Sequence, residues 1–88
     1  MEIQFPIYVL MKDCEEVRCY RSLPELNWME AIDVENEEYQ AWDASGRVLQ
    51  LTAANVTTSK AGEVSARATD RIEDPKWFAE VQSRVDQK

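Results

Sequence analysis

The 88-residue chain predicts an α+β fold: an antiparallel sheet built from hairpins, a short helix after the second strand, and a C-terminal amphipathic helix packed on one face. Three observations carry that prediction. Two-residue apolar alternation recurs in short runs bounded by polar or glycine-containing breaks. Ser22-Leu23-Pro24-Glu25 has the spacing of a capping box, with a proline in the first turn. Asp74-Pro75 stands before an apolar stripe at helical spacing, as an N-cap followed by proline at the first helical position.

The elements follow in order. Residues 3–11 alternate, with Ile3, Phe5, Ile7, Val9 and Met11 on one face and Gln4, Tyr8 and Lys12 on the other. Asp13-Cys14-Glu15 breaks the pattern, and residues 16–21 resume it through Val17 and Cys19, which predicts a hairpin. Leu23, Leu26 and Met29 give a short helix its buried stripe, ending near Ala31. Ile32-Asp33-Val34 reads as a return to strand, Asn36-Glu37 as a tight turn, and residues 39–43 as a strand. Asp43-Ala44-Ser45-Gly46 is the clearest turn, because glycine accepts the positive φ such turns need. Residues 47–53 form a strand that Asn55 to Thr58 would extend past a bulge at Ala53-Ala54. Lys60-Ala61-Gly62 turns the chain into residues 63–69, where Val64, Ala66 and Ala68 share a face. Trp77, Phe78, Val81 and Val85 line one side of the last helix, and Glu80 and Arg84 pair at i,i+4 on its outside. The expected order is β-β-α-β-β-β-β-α, with the helices on one face.

Composition fits a single domain over residues 1–88. The 44% hydrophobic fraction, with three Trp, three Tyr and two Phe, suffices for a core despite a net charge of −7. The longest apolar run, Ile7–Met11, is far short of the roughly 20 residues that span a bilayer. Glu2 and Pro6 are out of place in a secretory leader, so the expected location is the cytosol. There the sequon Asn55-Val56-Thr57 has no meaning, and Cys14 and Cys19 are free thiols in packing or turn roles. Acidic neighbours raise the Cys14 thiol pKa rather than activate it.

Charge is the informative anomaly. Residues 22–46 hold Glu25, Glu30, Asp33, Glu35, Glu37, Glu38 and Asp43 with no lysine or arginine, while the remainder has ten acids and ten bases. The whole net charge of −7 therefore arises in that stretch. Solubility alone explains many such faces. Here Trp28, Tyr39 and Trp42 are mixed into the acids, and aromatic anchors inside a charged rim are a common way to build an interface. The candidate partner-binding set is Glu25, Trp28, Glu30, Asp33, Glu35, Glu37, Glu38 and Trp42, facing a basic protein.

Other classes fare worse. Without histidine, the usual general base and metal ligand are both missing, and no nucleophile elbow or phosphate-cradling loop occurs. Asp33-x-Glu35-x-Glu37 lacks the glycine and the spaced glutamate of a calcium loop, so no metal or cofactor is expected. Scattered bases argue against direct nucleic-acid binding, and no motif identifies a family. The expected function is a non-catalytic interaction module, similar in size and charge to small inhibitor or immunity proteins. A self-assembling homodimer is the second reading, through the face of residues 3–11 or the Trp77/Phe78 stripe. A small-ligand binder or enzyme is the third.

Overall fold

The computed structural model describes residues 2–12, 15–56 and 62–85. Cys14 and the chain from Thr57 to Ala61, on which several sequence expectations fall, lie outside the described residues. The elements are β1 (Ile7–Met11), β2 (Glu16–Tyr20), a 3₁₀ helix (Leu23–Trp28), α1 (Ala31–Glu35), β3 (Tyr39–Trp42), β4 (Arg47–Ala54), β5 (Glu63–Ile72) and α2 (Pro75–Ser83). The strands form one antiparallel sheet in the order β2-β1-β3-β4-β5, so the α+β class stands.

The first strand is shorter than its alternation suggests. Pro6 has no N–H to give a ladder, and pairing begins at Ile7, opposite Tyr20. Beyond it the alternation is real but not amphipathic. Ile7 and Val9 enter one core with Leu26, Ala31, Val34 and Leu49, while Leu10 enters a second with Val17, Trp42 and Val81. Tyr8, expected on a polar face, packs its ring edge-on to Phe78 at 5.6 Å. Both faces of the sheet are thus buried at β1.

That double burial corrects the placement of the helices. The 3₁₀ helix and α1 cover one face, contacting β4 and β5, whereas α2 lies against β1 on the other. Residues 32–34 are also corrected: they lie in α1, not in a strand. Ala31 and Val34 are three residues apart and both buried, the spacing of a helix face. A three-residue apolar alternation cannot distinguish that from a strand. The capping box is not made: Ser22 makes no side-chain cap, and Glu25 Oε1 accepts instead from the N–H of Arg21, one residue before the cap, at 2.9 Å.

Two turns bracket β3. Gly46 has φ of +86°, as the turn chemistry requires, and a Cβ there would stand 3.2 Å from the Phe78 ring. The Asn36-Glu37 turn is the end of α1, closed by Glu38 N–H to Asp33 C=O at 2.9 Å and Glu37 N–H to Val34 C=O at 3.1 Å. Between β4 and β5 the register shifts at Arg47/Leu49, not at Ala53-Ala54, which pair regularly with Val64 and Glu63. Asn55, with φ of +54°, lies beyond the end of β4. α2 starts as expected: the Asp74 side chain accepts from Lys76 N–H, and Val81 is fully buried under the stripe.

Candidate interaction surface

The acidic stretch divides into three groups. Asp43 is fully buried. Its Oδ1 accepts from Ser45 N–H (2.9 Å), Ser45 Oγ (2.6 Å) and Arg47 N–H (3.1 Å), and its Oδ2 from Gln4 N–H (3.2 Å). Burial alone would raise its pKa, but these donors outweigh it and hold the carboxyl below its ordinary value. Glu25 forms a second group. It is half-buried and fastened to the Arg21 backbone, where it caps the outer edge of β2. Both acids are structural.

The third group is Glu30, Asp33, Glu35, Glu37 and Glu38, on α1 and at its two ends. Among the described residues the ion pairs are those of Arg84, with Glu80 at 3.5 Å and Glu15 at 3.7 Å, so none of this group is paired. Burial raises the Tyr39 phenol pKa, the half-buried Asp33 nearby raises it further, and a backbone hydrogen bond from Glu30 to the phenol oxygen opposes both. The three Asp33-x-Glu35-x-Glu37 carboxylates do not share a strand face. Asp33 and Glu35 are on α1, and Glu37 follows it with φ of +58°. Among the described residues no group of three carboxylates or thiols is placed to hold a metal ion.

The two tryptophans separate completely. Trp28 is 73% exposed, while Trp42 is 1% exposed and donates its Nε1–H to Glu73 Oε1 at 2.9 Å. Trp42 is therefore a core residue and offers no surface to a partner. Trp28 ends the 3₁₀ helix and lines a groove of about 540 Å³ along the outer side of β2, together with Arg18, Cys19 and Arg21. Burial raises the Cys19 thiol pKa, with smaller opposed effects from Arg21 and Glu25, which disfavours the thiolate.

The surfaces expected for self-association are used in part within the chain, while Phe5 remains 41% exposed. Ile7 and Val9 are buried under the 3₁₀ helix and α1, and Trp77 and Phe78 pack on β1 and its neighbours. The sheet edges also carry blocks of the kind that discourage edge-to-edge pairing. Val85 bridges to Val17 on β2, and Asn27 Oδ1 accepts from Val64 N–H at 2.8 Å on β5.

A second opening, of about 310 Å³, lies between β3 and β4 and brings Lys12 and Arg71 together with Glu37. Sequence reasoning missed it because its lining comes from distant segments, and none of them carries a motif. Compared with known proteins, the chain matches no family model, no curated protein and no solved structure. No helix among the described residues is long and apolar enough to cross a membrane.

Proposed function

We propose that the chain is a non-catalytic, cytosolic interaction module that docks a basic protein through α1 and its flanking turns, as a small inhibitor or immunity-type protein would. The supporting observation is the set Glu30, Asp33, Glu35, Glu37 and Glu38, free of ion pairs among the described residues. A one-sign patch of this kind speeds encounter and sets register.

The test compares the wild-type chain with a Glu35→Lys/Glu37→Lys/Glu38→Lys variant as immobilised baits in lysate at low salt, followed by stepwise salt elution. The expected result is a basic protein held by the wild type, released as the Debye length shrinks from about 10 Å toward about 3 Å, and absent from the reversed bait. All three side chains are exposed, so circular dichroism and melting should match the wild type. Equal retention by both baits overturns the reading.

A further inference from the structure

Strand β3 belongs to β1 more than to β4. It pairs with β1 from Met11↔Tyr39 to Tyr8↔Trp42, but with β4 only at Ala41↔Leu49 and Trp42↔Val48. Asp43 N–H donates to the Arg47 carbonyl at 3.0 Å. Antiparallel alternation then makes Ala41 and Leu49 the next hydrogen-bonded pair, and would make Tyr39 and Leu51 the one after. No ladder pair joins Tyr39 to Leu51, while β4 stays with β5 as far as Ala54. The sheet parts there, and the parting is the opening of about 310 Å³.

The opening has a polarity. Val34, Leu49 and Leu51, from the core on the α1 side, supply the apolar part of a mixed lining. Its rim carries Lys12 and Arg71, both exposed and without an ion pair among the described residues, against a single acid, Glu37. A bulge aims Arg71. In the shifted register, Val48 of β4 faces three residues of β5: Thr69, Asp70 and Arg71. Thr69 Oγ1 donates to the Val48 carbonyl at 2.7 Å and accepts from Arg71 N–H at 3.2 Å, which pins the backbone that bears the guanidinium. The two cations offer a carboxylate a pair of charged donors.

We propose that this opening binds a small organic monocarboxylate, with Lys12 and Arg71 holding the carboxylate and Val34, Leu49 and Leu51 receiving the apolar body. Its volume lies at the lower limit of the roughly 300–1,000 Å³ typical of ligand pockets, which restricts the body to a single ring or a short chain. The Tyr39 phenol, its pKa raised by burial, adds a neutral wall rather than a second charge.

Calorimetric and amide-shift titrations of the full chain with 4-phenylbutyrate, and with the neutral 4-phenylbutan-1-ol, test the proposal. The carboxylate should saturate one site, with shifts confined to Lys12, Val34 and residues 37–41, 48–51 and 69–71. The alcohol should bind about tenfold more weakly, the difference one charge-assisted contact makes. Arg71→Gln and Lys12→Gln should each weaken the carboxylate by a similar factor with an unchanged melting temperature, and Glu37→Gln should tighten it. No saturable binding, equal affinity for the alcohol, or shifts centred elsewhere would each overturn the assignment. The arginine and lysine variants leave Glu30, Asp33, Glu35 and Glu38 in place, so this result is independent of docking to a basic protein.

Discussion

The turns before and after β3 both carry an acid, and they treat it in opposite ways. Asp43 is enclosed by four donors and fully buried, and its charge organises the turn. Glu37 is exposed and sits at φ of +58°, a position where glycine or asparagine is cheaper. The first acid adds to stability and contributes nothing to the outer surface. The second holds a strained backbone position and leaves its carboxylate to solvent. Formal charge counted along a chain therefore overstates the charge a partner would meet.

Replacing Asp43 should have the largest effect. Asp43→Ala strands three backbone N–H groups and the Ser45 hydroxyl, and should cost about 2–4 kcal/mol in urea unfolding. A loss under about 1 kcal/mol would break the contrast between the two turns. The same carboxyl sets a pH dependence. Its folded pKa lies below the ordinary aspartate value, so on acidification the unfolded chain takes up the proton first. The stabilisation is complete above the ordinary aspartate range and is lost as pH falls through the lower folded value. Asp43→Asn should flatten that part of the stability–pH curve, and an unaltered slope would assign the acid sensitivity elsewhere.

Gly46→Ala comes next, at about 1–3 kcal/mol, because it forces a positive φ on alanine and presses a methyl toward Phe78. Thermal melts would read it as a clear drop. Glu37→Gly runs the other way. It should raise stability by about 0.5–1 kcal/mol by relieving the left-handed backbone, and weaken docking to a basic partner. Stability without a gain would mean the Glu37 conformation carries no strain. Trp28→Ala should be smallest, within about 0.5 kcal/mol, because the ring is 73% exposed. Chemical denaturation showing a larger loss would place Trp28 in the fold rather than on a free surface.

Local chemistry made much of the fold legible. Gly46 marked its turn, Asp74-Pro75 opened α2, and the stripe from Trp77 to Val85 chose the side that packs. Val64, Ala66 and Ala68 on one face of β5 were legible for the same reason, since a six-residue alternation has only one sheet solution. Residues 32–34 were not, because a run that short satisfies two periods at once. The acidic run from Glu30 to Glu38 could be read from charge order alone. The loss of Trp42, Asp43 and Glu25 from that surface could not.

The sequence by itself determined the α+β class, the hairpins, the capped last helix and the concentration of acid in residues 22–46. Capping, turn and periodicity signals act within a few residues, so they survive without a fold. Only the tertiary structure decided that the helices take opposite faces, that Trp42 and Asp43 turn inward while Trp28 turns out, and that β3 parts from β4. Each of those depends on pairing residues far apart in the chain, and the free energy of such a pairing belongs to both partners rather than to either local pattern.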